Sequence, residues 1–304
     1  FDAIQAARAD AILGLMDAFR NDANPDKVNL TVGVYKDETG GTPVLKSVKV
    51  AEAKLLEGES SKGYLPIGGL GEFCDLTQDL YFGNGHEVVS SGRAATFQTP
   101  GGTGALRVAA DFIHQNFPTA SIWCSTPTWP NHPKVFTAAG VNVEHYPYFA
   151  ADSHGVNIEG MLDAIKAAPV GDVICLHACC HNPTGADPSA EQWGQIADAV
   201  YARGLLPFLD FAYLGFGDGI DFWPFSARIP HPFGTSFWHP KSQKSLETTK
   251  KQCPESSAEK TCSQRSTESA QCAIRTGNTI CFVRSRSVHL GGFWARFGSL
   301  SGSL

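Results

Sequence analysis

Ser189-Ala190-Glu191-Gln192-Trp193-Gly194-Gln195-Ile196-Ala197-Asp198-Ala199-Val200-Tyr201-Ala202-Arg203-Gly204, followed at once by Leu205-Leu206-Pro207-Phe208-Leu209-Asp210-Phe211, decides the fold. Ser189 and Gln192 have the Ser-x-x-Gln spacing of a capping box, which satisfies orphan N–H groups at a helix start. Gly204 sits where a helix of that length should stop. The apolar run behind it is too short for a helix and reads as a buried strand. Outward from this pair, Val173–177 is a second apolar run of strand length. The unit is therefore strand, helix, strand, and such a crossover places its two strands parallel.

The same rhythm runs back toward the N-terminus. Residues 95–98, 121–124 and 141–145 read as strands. Gly102–Asn116 reads as a helix, with Leu106, Ala109, Ala110 and Ile113 on one face. Helices are also expected over residues 131–139 and 158–167, the latter with Asn157 as N-cap. Alternating strands and helices predict an α/β protein, a mostly parallel sheet with helices on both faces.

Composition narrows the function. The chain has 304 residues, is 42% hydrophobic and carries a formal charge of −6. An acidic chain lacks the basic footprint of a nucleic-acid binder. No stretch of 18 apolar residues occurs, so no membrane span is expected. Residues 1–15 lack a signal-peptide pattern. Nine cysteines without framework spacing point to a reducing, cytoplasmic setting. Cys253, Cys262, Cys272 and Cys281 lack the close pairs of a zinc site. Cys179 and Cys180 are adjacent at a strand end, so they are expected on opposite faces, and no metal is assigned.

Four segments at strand ends carry chemistry. Thr99-Pro100-Gly101-Gly102-Thr103-Gly104 follows a strand and opens a helix. It suits phosphate, and equally an ordinary glycine-rich turn. Trp129 follows the 121–124 strand and is either a stacking platform or a core tryptophan. Asn182, in His181-Asn182-Pro183-Thr184-Gly185, is a hydrogen-bond donor or part of a turn. Asp210 ends its strand, where a carboxylate can hold a pyridine nitrogen protonated or merely cap a loop. In an open α/β sheet these ends share one crevice.

These residues resemble a known family. Residues 29–38, 98–106, 129–132 and 181–185, with Asp210-Phe211-Ala212-Tyr213, are similar to the aspartate aminotransferases, class I, fold-type I pyridoxal phosphate enzymes. The likeness spans about residues 12–220. It implies the cofactor pyridoxal 5'-phosphate, with Gly102 and Thr103 on its phosphate, Trp129 over its ring, Asn182 and Tyr213 on its phenolic oxygen and Asp210 on its ring nitrogen. His132 would support Asp210, and Gly33, Trp129 and Asn182 would face substrate. Tyr64 would reach the phosphate of a second subunit, since the family forms homodimers. The implied substrates are L-aspartate and 2-oxoglutarate. An aromatic aminotransferase of the same class and a non-catalytic remnant or dimer partner are the alternatives.

The tail departs from this pattern. Beyond Asp221 there are 11 Lys and Arg against 4 Asp and Glu, where the part up to it holds 13 against 26. The family's Schiff-base lysine segment is not recognisable, and Lys244 is a weak substitute. Residues 242–251 read one nucleotide earlier can yield Ser-Lys-x-Phe-Gly-x-Tyr-x-Glu, the missing motif. A change of reading frame near Asp221 is therefore expected. The expected division is 1–40 as N-terminal arm and part of a small domain, 41–221 as cofactor domain, and 222–304 as an out-of-frame, poorly ordered tail.

Overall fold

The computed structural model describes residues 11–29, 35–217, 219, 270–276 and 279–284. Gly33 and Lys244 lie outside the described residues, as does most of the tail. The chain divides into two compact units, Phe1–Tyr64 and Leu65–Leu304. The strands of the tail belong to the second unit.

The first unit carries α1 (Ala11–Asn21) and α2 (Lys46–Gly58). Between them the Asp37 carboxylate accepts the N–H groups of Thr39 and Gly41 at 3.0 and 2.9 Å, closing a turn. No side chain of α2 is buried. That accounts for its falling outside the unit built around the sheet.

The second unit opens with α3 (Gly71–Phe82) and α4 (Glu87–Ser90). There follow β1 (Ala94–Gln98), α5 (Gly101–Asn116), β2 (Ser121–Thr126), α6 (Asn131–Ala138) and β3 (Asn142–Pro147). A small hairpin, β4 (Phe149–Ala150) and β5 (Gly155–Val156), leads to α7 (Ile158–Ala167). Then come β6 (Val173–His177), α8 (Ala190–Arg203), β7 (Leu206–Asp210), β8 (Ala270–Thr276) and β9 (Thr279–Arg284).

The helix boundaries follow their caps. Ser189 and Gln192 form the capping box at α8, and Gly204 ends that helix in the left-handed region at φ 73°. The Asn157 side chain accepts the Gly160 N–H at 3.0 Å and starts α7.

The main sheet has the order β1-β9-β8-β7-β6-β2-β3. β8, β7, β6, β2 and β3 are parallel neighbours, while β9 is antiparallel to β8 and β1 on either side. Two antiparallel steps restore direction, so β1 runs the same way as β7. The C-terminal ends of β1, β2, β6 and β7 therefore share one edge of the sheet.

Side chains alternate between two cores. Val173 and Cys175 of β6 pack with Leu106 and Ile113 of α5 and Phe136 of α6. Ile174 and Leu176 pack instead with Met161 of α7 and Trp193 and Ile196 of α8. Full burial of each such side chain contributes roughly 1.5–3 kcal/mol. Buried Asp172 locks the sheet's far end. It accepts the Ser121 N–H at 3.0 Å and the Trp123 indole N–H at 2.8 Å.

Two segments of the tail, β8 and β9, are strands of the main sheet. Cys272-Ala273-Ile274 and Ile280-Cys281-Phe282-Val283 are short apolar, strand-forming runs. Gly277-Asn278 between them is a two-residue hairpin signal. Their place is dictated by the sheet: β1 pairs only with β9 among the described strands, and β7 gains a second neighbour in β8. A chain ending at residue 269 should expose both edges. Light scattering and urea unfolding should show aggregation or loss of a cooperative transition, where the full chain unfolds cooperatively. An unchanged urea midpoint would show that these strands do not support the sheet.

Candidate active site

The shared edge gathers the residues singled out in the sequence. Thr99 follows β1 and donates its hydroxyl to the Gly101 carbonyl at 3.0 Å. Gly101 has φ 75°, a left-handed conformation that suits glycine. Gly102 and Thr103 occupy the first turn of α5, whose N-cap, Pro100, supplies no side-chain acceptor. A second glycine loop braces this one. The Gly68 carbonyl accepts the Gln98 N–H at 2.9 Å, and the Leu70 N–H donates to Gln98 Oε1 at 2.9 Å. A Cβ on Gly69 would sit 2.2 Å from the Gln98 Cβ, so only glycine allows this approach.

Asp210 ends β7 and is 4% exposed. Its Oδ2 lies 2.7 Å from Nε2 of His132, which is fully buried in α6. Its Oδ1 accepts the Ala212 N–H at 3.2 Å. His132 Nδ1 is 3.2 Å from Thr128 Oγ1, which is 3.2 Å from His177 Nε2. His177 Nδ1 accepts the Asn182 N–H at 3.3 Å.

That last bond sets the direction of the whole chain. A backbone N–H can only donate, so His177 Nδ1 carries no proton and Nε2–H donates to Thr128. The Thr128 hydroxyl then donates to His132 Nδ1, and His132 Nε2–H donates to Asp210. Four bonds thus connect the Asn182 amide to the Asp210 carboxylate, each donor facing an acceptor.

A second histidine locks the loop after β6. His181 has Nε2 2.9 Å from Ser125 Oγ and Nδ1 2.9 Å from Thr184 Oγ1. Its ring stacks on Tyr148 at 3.9 Å, and the Tyr148 hydroxyl donates to the Ala186 carbonyl at 2.7 Å. Burial, then the neighbouring His132, lowers His181 to about 4.

Of the expected site residues, His132, Asn182 and Asp210 are joined directly or through Thr128 and His177. Trp129 is half-buried and meets His132 edge-on at 5.3 Å. Tyr213 lies in the turn after β7, half-buried. Tyr64 belongs to the other unit and is fully exposed. β8, in register with Asp210 through Arg275, holds no lysine, nor does β9. Thr128 and His177 went unassigned in the sequence; the four-residue step from Thr128 to His132 was the available signal. Among the described residues no group of three or more His, Cys, Asp or Glu could hold a metal ion. No helix there is long and apolar enough to cross a membrane.

Comparison with known proteins follows the same residues. The family model for aminotransferase class I and II matches residues 25–234. The chain belongs to this family. The match passes Asp221, so likeness extends beyond the break expected there. The chain is 53% identical over 221 residues to the aspartate aminotransferase of Salmonella typhi, covering 73% of this chain and 56% of that protein. It is 48% identical over 243 residues to an aromatic-amino-acid aminotransferase of Pseudomonas aeruginosa, covering 78% and 60%. Its structure matches an aromatic-amino-acid aminotransferase of Burkholderia pseudomallei, covalently bound to pyridoxal phosphate, with a TM-score of 0.80 and 32% identity. That match covers 99% of this chain and 69% of the other. The chain spans little more than half the length of the curated aspartate aminotransferases it matches.

The lowered His181 gives a pH dependence with a definite sign. Between about 6.5 and about 4 the unfolded chain binds a proton at this residue and the folded chain does not. Stability should therefore fall as pH drops through that window, by on the order of 2 kcal/mol at pH 5 from this residue alone. Urea midpoints at pH 7 and pH 5 test this, and His181→Gln should flatten the difference.

Proposed function

We propose that the chain is an aspartate aminotransferase by construction, moving an amino group between L-aspartate and 2-oxoglutarate to give oxaloacetate and L-glutamate. The observation that carries this reading is the buried Asp210 carboxylate, held by His132 at the sheet edge where the α5 N-terminus also lies. The residues there fit pyridoxal phosphate by the chemistry of their donors. Gly102 and Thr103, at a helix N-terminus, suit its phosphate. Asp210 is an anionic partner for a protonated pyridine nitrogen. Asn182 and Tyr213 are the candidates for its phenolic oxygen, and Trp129 for its ring face. Tyr64 is the candidate for the phosphate of a second subunit, and Gly33 for the substrate pocket.

When bound, the cofactor supplies an electron sink for charge developing at the substrate α-carbon. The protein's task is to keep that sink engaged. Asp210 would hold the proton of the ring nitrogen. His132 orients the carboxylate and, as a neutral donor, leaves its negative charge in place. Thr128 and His177 tie that orientation to the loop bearing Asn182, so Asp210 and that loop are positioned together.

The lysine that should move the substrate proton is not recognisable in this chain, and no lysine lies in β8 or β9. The proposal includes reduced activity, with a reading-frame change behind the tail. A homodimer is also proposed. Its support is the likeness to the aminotransferase family. Likeness to the P. aeruginosa aromatic enzyme supports a second reading, with aromatic amino acids as donors.

Titration of the full chain with pyridoxal phosphate, followed by absorbance and tryptophan fluorescence, tests the cofactor reading. Binding should be reversible on dialysis and leave no covalent cofactor after borohydride. Asp210→Asn should weaken it about 10-fold or more, the loss of a charged hydrogen bond. Absence of binding would overturn the cofactor reading. A borohydride-fixed adduct on a tail lysine with rapid turnover would overturn the impairment. Turnover with aspartate against phenylalanine separates the two substrate readings.

A further inference from the structure

Three successive amides after β6 have fixed partners. The N–H groups of Cys180 and His181 donate to the Asp187 carboxylate, at 2.6 Å to Oδ2 and 2.9 Å to Oδ1. The Asn182 N–H turns instead to His177 Nδ1 at 3.3 Å. Within this run Cys180 sits in the left-handed region at φ 50°. A residue with a Cβ is strained there and keeps the conformation only where its surroundings impose it. The two amides that Asp187 accepts flank the Cys180 α-carbon. One carboxylate gripping both therefore fixes the two torsions between them, and with them the direction in which the chain enters Asn182. Beyond Asn182 the Gly185 N–H returns to the His181 carbonyl at 2.7 Å and closes the loop. Asp187 itself is exposed. Its removal leaves no buried charge unmatched, so the cost should fall on the loop rather than on the fold.

We propose that Asp187 is a positioning residue for Asn182: by holding Cys180 left-handed, it aims the loop that brings the Asn182 side chain to the phenolic oxygen of pyridoxal phosphate. This rests on the aminotransferase reading, which gives Asn182 that partner. Asp187 acts through the backbone alone. It therefore has no effect on the cofactor once the Asn182 amide is gone.

Two measurements on the full chain test this role. In the first, without cofactor, hydrogen-exchange mass spectrometry compares the unsubstituted chain with Asp187→Ala. The peptide holding residues 178–187 should exchange faster, on the order of 10-fold at the freed amides, while the urea midpoint stays close to that of the unsubstituted chain. In the second, absorbance titration gives the pyridoxal phosphate affinity of the unsubstituted chain, Asn182→Ala, Asp187→Ala and the double variant. Asn182→Ala should weaken binding about 10-fold and Asp187→Ala about 5-fold, while the double variant should match Asn182→Ala. A merely structural role would weaken binding by the same factor in both backgrounds. That result, unchanged exchange, or full affinity in Asp187→Ala would overturn the proposal and leave the cofactor reading standing. No binding by the unsubstituted chain would overturn the cofactor reading and the proposal with it. Undiminished binding by Asn182→Ala would overturn the part given to Asn182, and again the proposal with it.

Discussion

His132 and Asp210 meet 2.7 Å apart with both side chains buried, and the rest of the site is arranged around that contact. A carboxylate in such a place costs several kcal/mol unless its lone pairs find donors. His132 and the Ala212 amide meet that need directly. His132 in turn requires an acceptor-side partner of fixed orientation, which Thr128 supplies through His177. Removing any one member breaks at least one bond of this chain at a buried or half-buried polar group. The histidines are therefore as much a condition of the fold as of the chemistry assigned to it.

The scaffold presents this edge by a simple device. Four strands that run the same way must end on the same side of the sheet, and each is followed by a loop free to carry polar groups. β1 brings the glycine turn, β2 the Thr128–His132 segment, β6 the Asn182 loop and β7 the aspartate. β9 is the reversed strand that makes this possible, since β1 joins the parallel set only through it. Helices on the two faces, with apolar residues of β6 alternating between them, fix the strands against sliding.

Much of this was legible from local pattern. Ser189, Gln192 and Gly204 announce α8 because caps are satisfied within a few residues. Asn157 marks α7 for the same reason. β6 and β7 could be read from short apolar runs between turn signals. The tail strands were not legible, because their pairing partners lie far off in sequence and polar residues flank them. Thr128 and His177 were missed for a related reason: their bonds exist only once β2 and β6 are side by side.

The pairing of Gln98 with Thr279 has a cost in time as well as in geometry. During synthesis the first strand is finished long before β9, its neighbour among the described strands, emerges from the ribosome. Until then the side of β1 that pairs with β9 has no strand beside it, and the nascent sheet carries an open flank. Loop closure over so long a span is slow, and species that wait with unpaired edges associate with one another. Yield in the cell should therefore be governed by how well chaperones shield this early intermediate, whatever the finished molecule can catalyse.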